Sequence, residues 1–449
     1  MRGVFLSIIT LGIFISVFAV GDMSASAGEV DILVKKLVEK GVLTSNEAQI
    51  ILDETKNEVT KKKAESGNMD VVWKDGLRIK TDDKKVELKM GGRIMADTAW
   101  MTENAGLNER FGELEDNAEF RRARLYMSGT FLDHYIFKAQ YDFAGGDANF
   151  KDVYLGYKGI PYLGTVKIGH FKEAFSLDEL TSSKYITFME RALPNAFVPG
   201  RNIGIALNNS LLGSSKAPRM TWALGLFRNA DDFGDASSNE WNVTGRVTAL
   251  PWYKDNGREL LHLGAAYSYR APHETLQYRE RPESHMAPRF VDTGSFPVND
   301  ENLLGIESAL VYGPFHAEGE LIQSFANRTN GVNNFYGGYI QGGFFLTGEY
   351  RPYKNTEGVF TRVKPKNNFN IVKLLDGEYR SIGVLELAAR WSGINLANHD
   401  INGGIMNDTT IGLNWYLNPN MRMMTNYIHS NRNGVGDADI LQMRYQVDF

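Results

Sequence analysis

The chain has 449 residues, 23% of them charged, and a formal net charge of −5. Its mean hydropathy of −0.31 excludes a protein built from membrane-spanning helices, and the small net charge gives no reason to expect nucleic acid as a partner. Cysteine is absent, which excludes disulfides, thiolate metal sites and a cysteine nucleophile.

Residues 1–27 have the features of a secretory signal peptide. Arg2 precedes an apolar run from Val4 to Val20, and small residues follow up to the A-x-A pattern Ala25-Ser26-Ala27. We therefore expect cleavage before Gly28 and export across the inner membrane. The alternative is an uncleaved membrane anchor, which the lack of a basic flank after the apolar run disfavours.

Residues 28–70 read as helical. Apolar residues recur at positions 30, 33, 34, 37 and 38, the spacing of one helix face, and Gly41 is a natural helix end. Thr44-Ser45-Asn46-Glu47 is a capping box that opens a second helix. The pattern predicts a periplasmic helical hairpin or a coiled-coil-like leader, and a partly ordered polar leader is the alternative.

From Val86 onward, polar and apolar residues alternate with a period of two. The last run sets Leu441, Met443, Tyr445, Val447 and Phe449 against Gln442, Arg444, Gln446 and Asp448. A soluble β-sandwich alternates as well. These runs, however, are long enough to cross a bilayer at a tilt, which takes about 9–11 residues, and they exceed the usual strand of about five or six residues. No later stretch is apolar and long enough for a membrane helix, so a membrane location requires a barrel.

The alternation predicts an all-β fold, a transmembrane antiparallel β-barrel over residues 71–449. Candidate strands lie at residues 86–101, 119–131, 135–143, 150–158, 164–170, 201–209, 219–229, 240–250, 260–270, 302–312, 315–324, 335–348, 383–394, 408–417, 420–429 and 439–449. This makes about sixteen strands, an even number as in bacterial barrels. Tight turns alternate with long loops, except that the link 349–382 is long where a turn is expected, so the count there could differ by two.

The alternation also predicts which charged side chains face the lumen. The cations are Lys89, Arg93, Arg122, Arg124, Lys138, Lys167, Arg246 and Arg270, and the carboxylates are Glu87, Asp97, Asp142, Asp152, Glu318 and Glu320. Rows of arginine and lysine make a pore attract anions. The alternative is that opposite charges pair across the wall and only keep the lumen polar.

The segment of about residues 171–200 is too long and too amphipathic for an ordinary hairpin. Ser176-Leu177-Asp178-Glu179 is a capping box, and Lys184, Glu190, Arg191 and Arg201 are interleaved with apolar residues. Because long loops of this kind are often functional, we expect it to fold into the lumen as a constriction loop.

Several short motifs occur in order along residues 75–449. They are Gly91-Gly92-Arg93, Phe120-Arg121-Arg122-Ala123, Tyr141-Asp142, Leu180-Thr181-Ser182-Ser183, Met189-Glu190-Arg191, Gly200-Arg201-Asn202-Ile203-Gly204, Tyr267-Ser268-Tyr269-Arg270, Arg279-Glu280-Arg281-Pro282, Leu346-Thr347-Gly348-Glu349 and Lys364-Pro365. Together they resemble the phosphate-selective porin O and P family. The resemblance implies a sixteen-stranded homotrimer in which a ladder of arginines leads anions to the third loop. It makes ladder or constriction candidates of Arg93, Arg121, Arg122, Arg191, Arg270, Arg279 and Arg281.

One position departs from that family. Phosphate-specific members place a lysine just before the Thr-Ser-Ser of the constriction loop, and the matching position here is Glu179. A carboxylate there would repel phosphate, which leaves the porin interpretation intact and weakens phosphate specificity.

The functional prediction is an outer-membrane porin that passes small hydrophilic solutes by passive diffusion and prefers anions, with phosphate and other oxyanions as candidate solutes. The predicted partners are small anionic or neutral solutes and the lipid of the bacterial outer membrane. We expect no enzyme activity, no cofactor and no metal, since the usual catalytic and metal-binding motifs are missing. The alternatives are a non-selective porin, a non-conducting scaffold or adhesin barrel, and an outer-membrane hydrolase. Tyr445 and Phe449, in the terminal segment ending in an aromatic residue, are the predicted assembly signal.

Overall fold

The computed structural model describes residues 27–66, 69–83, 85–214, 217–236, 241–271, 274–375, 377 and 382–449. The predicted signal peptide lies outside these residues except for Ala27. In the described part of the chain, no helix is both long and apolar enough to cross a membrane. The chain divides into two compact units, Met1–Asp70 and Val71–Phe449.

The first unit contains two helices, α1 (Ala27–Glu39) and α2 (Ser45–Ser66), which confirms the predicted helical segment. The turn between them uses Gly41 at φ 70°, a conformation that glycine adopts without strain. The capping box forms in both directions: the Glu47 N–H donates to Thr44 Oγ1 (3.3 Å), and the Thr44 N–H donates to Glu47 Oε2 (2.9 Å). Among the side chains described for this pair, Val34 and Ala48 are apolar and buried.

Sixteen strands form the wall of the second unit, and each overlaps one predicted strand. They are β1 (Val86–Glu103), β2 (Asn117–Phe131), β3 (Tyr135–Asp142), β4 (Asn149–Ile160), β5 (Gly164–Lys172), β6 (Arg201–Ser214), β7 (Ala217–Arg228), β8 (Asn242–Lys254), β9 (Glu259–Arg270), β10 (Asp300–Tyr312), β11 (Phe315–Arg328), β12 (Gly331–Phe345), β13 (Val384–Asn398), β14 (Ile401–Asn418), β15 (Met421–Arg432) and β16 (Gly436–Asp448). Shorter strands lie at Met69–Trp73 and Leu77–Thr81 and in the two-residue ladders of the connecting segments.

Short helices occupy some of the connections. They are α3 (Ala105–Phe111), α4 (Leu177–Leu180) and α5 (Ile371–Leu375), with 3₁₀ turns at Leu193–Phe197 and Asp255–Gly257.

The sheet closes on itself. Each wall strand pairs antiparallel with the next, and β16 returns to β1 in a register that runs from Ala438 opposite Glu103 to Asp448 opposite Arg93. A closed barrel has no free strand edge, which is the condition for a sheet to cross hydrocarbon. The predicted barrel with sixteen strands is therefore confirmed.

The two faces of the wall differ as the alternation predicts. On the outside, Leu155, Ile306, Leu321 and Ile340 are between 58% and 71% exposed. On the inside, charged side chains are buried, and Arg422 and Arg444 are among the largest fully buried residues. A soluble protein places these classes the other way round, so the fold requires an apolar solvent around the barrel.

The connections distinguish two ends of the barrel. The turn end, where Val86 and Phe449 lie, has short links such as 132–134, 313–314 and 419–420, whereas the loop end has long ones such as 104–116, 173–200 and 271–299. The link 346–383 is the exception at the turn end. Its strands Tyr353–Lys354 and Val359–Phe360 pair with each other and not with the wall, so the count of sixteen stands.

The first part of that link, residues 346–366, lies inside the barrel and is called the insert below. Arg351, 2% exposed, pairs with Glu318 of β11 (3.1 Å). Tyr353 Oη lies 2.7 Å from His262 Nδ1 on β9. Val359 and Phe360 pack into a small apolar cluster with Leu177 of the loop-end segment 173–200, called the constriction loop below. Two segments therefore enter the barrel from opposite ends and meet.

Candidate functional site: a cationic chamber

The constriction loop is held in shape by its own charged side chains. Ser176 Oγ accepts from the N–H of Glu179 (3.1 Å) and caps α4. The capping box is only half formed, because the Glu179 carboxylate turns instead to Lys172 (2.8 Å) and Arg191 (2.9 Å). Arg191 also donates to the carbonyl oxygens of Asp178, Glu179 and Thr181, so one guanidinium closes the loop on itself.

The far side of the constriction loop is attached to the barrel wall by Glu190. Its carboxylate lies 2.9 Å from Arg121, 3.6 Å from Arg122 and 2.7 Å from Arg444. Burial raises the pKa of Glu190, but the three guanidiniums outweigh burial and hold that pKa well below its usual range. Lys184 pairs with Asp448 (3.2 Å) on the same side. The loop thus spans the lumen as an ionised, wall-bound segment.

A β-bulge places two adjacent arginines on the same face of β2. In the register with β1, Met95 lies opposite Arg122 and Ala96 opposite Phe120, so Arg121 is the extra residue. Phe120 is 66% exposed on the outside, whereas Arg121 and Arg122 both reach Glu190 inside. Alternation alone assigns only Arg122 to the lumen.

The Gly91-Gly92-Arg93 motif lies where the barrel closes. The Gly92 N–H donates to the carbonyl oxygen of Phe449 (2.8 Å). A Cβ on Gly92 would lie 2.6 Å from the Arg124 carbonyl oxygen and 2.7 Å from the Phe449 ring. Glycine therefore allows the last residue to pair with the first wall strand, directly before Arg93, whose side chain points into the lumen.

Tyr445 lies on the outer face. The assembly role of Tyr445 and Phe449 stays a prediction.

Between the constriction loop and strands β1–β6 lies a cavity of about 340 Å³, called the cationic chamber. Eight cations line it: Arg93, Arg122, Arg124, Lys138, Lys167, Lys172, Arg191 and Arg201. Among the described residues, only three carboxylates do so: Asp152, Glu179 and Glu357. The lining thus has an excess of five positive charges in a chain whose net charge is −5.

Some cations of the chamber have neutral partners. Arg93 donates to Ser183 Oγ (2.7 Å) and forms no ion pair within the described residues. Lys167 lies 5.4 Å from the centre of the Tyr154 ring and likewise has no ion pair there. Arg122 Nε is buried, and no described group accepts its proton. Such unmatched donors are what an anion entering the chamber would meet.

The other chamber cations are paired with carboxylates. Asp152 is shared by Lys138 and Arg201 (2.8 Å to the latter), and Arg124 pairs with Asp142 (2.6 Å). The carboxylate of Glu179, expected to repel phosphate, has its charge matched locally. Burial raises the pKa of Glu179, and Arg191 and Lys172 more than reverse this, lowering it to about 2.

Several predicted pore-lining cations lie away from the chamber, among them Lys89, Arg121, Arg246, Arg270, Arg279 and Arg281. Arg246 pairs with Glu307 (2.9 Å) and donates to the carbonyl oxygen of Gly358 in the insert. Arg270 pairs with Glu173 (3.1 Å) at the loop end. Arg279 is exposed and Arg281 donates to the Ala287 carbonyl, both in the loop 271–299.

Sequence reasoning missed Lys172, Glu357 and Arg444 as candidate site residues. Arg444 could have been predicted, since it lies on the polar side of the last predicted strand.

A second cationic cavity, of about 450 Å³, opens at the turn end. It is lined by Lys89, Arg258, Arg362, Lys364 and Lys366 together with Asp75 and Glu349.

Comparison with known proteins agrees with this architecture. The family model described as phosphate-selective porin O and P matches residues 88–449. Porin O of Pseudomonas aeruginosa is 26% identical over 422 residues, covering 84% of this chain and 91% of that protein. An uncharacterized protein of Caulobacter vibrioides is 30% identical over 385 residues, covering 81% and 72%.

Solved porin and channel structures are also similar at low identity. An anion-selective porin from Comamonas acidovorans is 12% identical with a TM-score of 0.48, covering 81% of this chain and all of that one. The outer membrane channel DcaP of Acinetobacter baumannii is 12% identical with a TM-score of 0.49, covering 82% and 99%.

Proposed function

Since the chain belongs to the phosphate-selective porin O and P family and is an outer-membrane porin, we propose that it passes small hydrophilic solutes by diffusion and prefers anions. The cationic chamber is the observation that carries this proposal. Its eight cations face three carboxylates, and two of those carboxylates are already paired with wall or loop cations. The remaining positive charge lowers the free energy of an anion in the chamber and raises that of a cation.

The chemistry of the lining favours oxyanions within the anion class. Arg93 and Arg122 offer planar N–H donors, and Ser182 and Ser183 supply hydroxyl groups nearby. Guanidinium groups match the paired oxygens of phosphate and carboxylate better than they match a single chloride. The second cavity, at the turn end, is also lined mainly by cations. Inorganic phosphate is thus one candidate solute among several oxyanions.

The test is the reversal potential of the purified porin in a planar bilayer with a potassium chloride gradient. We expect anion preference for the wild type and a lower anion-to-cation permeability ratio for the triple variant Arg93→Ala, Arg122→Ala, Arg124→Ala. Arg110→Ala is the control, because Arg110 is exposed on α3 and lies outside the chamber. Equal reversal potentials for the triple variant and the wild type would contradict the assignment.

We also propose that the signal peptide is removed before Gly28 and that three copies assemble in the membrane, as the family resemblance implies. The broad apolar outer face offers room for contacts between barrels. Mass spectrometry of the purified protein gives the mature N-terminus, and its native mass in detergent gives the copy number. An intact residue 1 or a monomer would contradict these two statements.

A further inference from the structure

We propose that Glu357, at the tip of the insert, is a tethered counter-ion that competes with solute anions for the cationic chamber. Its carboxylate would set how tightly the chamber holds an anion and so tune the flow through the pore. The inference rests on the proposed anion preference and adds a residue from the turn end, outside the barrel wall and the constriction loop.

The insert carries Glu357 into the chamber on a fixed hairpin. The strands Tyr353–Lys354 and Val359–Phe360 pair with each other, and Glu357 lies in the turn that joins them. Arg246 of β8 donates to the Gly358 carbonyl oxygen (2.9 Å), and Asn355 donates to the Pro218 carbonyl oxygen (3.2 Å). These bonds hold both sides of Glu357 against the wall.

Glu357 differs from the other two chamber carboxylates. The Asp152 side chain is 17% exposed and the Glu179 side chain 11%, and each is clamped between two cations. The Glu357 side chain is 55% exposed and pairs with Lys354 of its own hairpin, which is itself 50% exposed. An exposed pair of this kind contributes little binding energy, so the Glu357 charge is available to the chamber.

The position of Glu357 also suits competition with a solute. It shares the lining with Lys167 and Lys172 of β5. Lys167 has no ion pair within the described residues, and a carboxylate offers it the same charge and oxygen acceptors as a small oxyanion. Neutralising Glu357 would raise the excess of positive charge in the lining from five to six.

The experiment compares Glu357→Gln, Glu357→Asp and the control Glu113→Gln, in which an exposed carboxylate of the loop 104–116 is removed. Chloride conductance is measured against salt concentration, and its block by added inorganic phosphate is titrated. For E357Q we expect half-saturation and half-block at roughly threefold lower anion concentration, the size of one screened charge contact. E357D and E113Q should match the wild type.

The inference is overturned if E357Q titrates like E113Q while the wild type is anion-selective. A wild-type pore without anion preference would instead remove the proposed function itself. Within the described residues, the Glu357 side chain is bonded only to Lys354 of its own hairpin, so the glutamine variant keeps the contacts that seat the insert. A heat-dependent shift in gel migration equal to that of the wild type verifies the fold of each variant.

Discussion

The constriction loop and the insert reach the same chamber from opposite ends of the barrel, but they are built differently. The loop is tied to the wall by ionised groups: Glu190 contacts three arginines and Lys184 contacts Asp448. The insert is seated by the buried pair Arg351–Glu318, by apolar packing around Phe360, and by hydrogen bonds to its backbone. Only the insert leaves a charged side chain exposed at its tip.

This difference assigns the two segments different roles. Removing a loop anchor should disturb the geometry of the chamber itself, because the loop supplies Arg191 and the serine hydroxyls. Removing an anchor of the insert should leave the chamber in place and shift only its turn-end border. The loop therefore forms the site, and the insert adjusts it.

The largest contrast is expected between Arg444→Ala and Arg351→Ala. Arg444 is fully buried and contacts Asp97 (2.6 Å) and Glu190 (2.7 Å). Its loss leaves the buried Asp97 carboxylate without a cation among the described residues and removes one of three arginines from Glu190, at a cost of about 3–5 kcal/mol. We expect R444A to lower the free energy of unfolding and the anion-to-cation permeability ratio together. R351A should cost a similar free energy but keep the ratio. Urea unfolding measures the free energy, and reversal potentials measure the permeability ratio. An equal loss of selectivity in the two variants would contradict the different roles of the loop and the insert.

A smaller effect is expected from Gly358→Ala. Gly358 has φ 66°, and a Cβ there would lie 3.0 Å from the hydroxyls of Thr221 and Thr248. The strain of a left-handed alanine is about 1–2 kcal/mol, and the tip should move away from the wall. We expect G358A to reproduce the tighter anion binding of E357Q in the salt titration. Gly377→Ala, at φ 89° with open space around its Cβ, is the strain control and should titrate like the wild type.

The smallest effect is a pH dependence carried by Lys184 of the constriction loop. Burial lowers the pKa of Lys184, Asp448 raises it, and Arg93 and Arg362 lower it again, giving a pKa of about 8. Lys184 is charged below that pH and neutral above it, so the anion preference should decline as pH rises through about 8. Reversal potentials on either side should show this, and Lys184→Arg should reduce the change, since arginine stays charged. An identical pH profile in K184R would exclude Lys184 as the titrating group.

The wall could be predicted from the sequence because a strand that crosses a bilayer repeats one simple pattern. All sixteen strands, the outward position of residues such as Ile94 and Trp100, and the lumen position of Arg93 and Asp97 follow from a period of two. The capping box at Thr44 could also be predicted, because its residues are close in sequence and bond to each other.

What the sequence did not reveal depends on breaks in that pattern and on long-range contacts. The bulge at Arg121 adds one residue to β2, which period counting does not detect. The insert has no periodicity, and its burial depends on partners such as Glu318 and His262 that are distant in sequence. Its length was one signal, since a link at the turn end needs about two to five residues. The motifs at residues 346–349 and 364–365 mark its two ends but do not predict that it enters the barrel.

We propose that the chamber bordered by the constriction loop is filled with water and attracts anions. The natural chain has no cysteine, so Ser182→Cys introduces a single thiol at the chamber lining. We predict that an anionic methanethiosulfonate reagent modifies S182C faster than a cationic one and reduces the current through the pore, whereas neither reagent affects Ile340→Cys on the outer face. Faster reaction of the cationic reagent would contradict the attraction of anions to the chamber. A current unchanged after complete modification of S182C would show that the chamber is not on the conduction path.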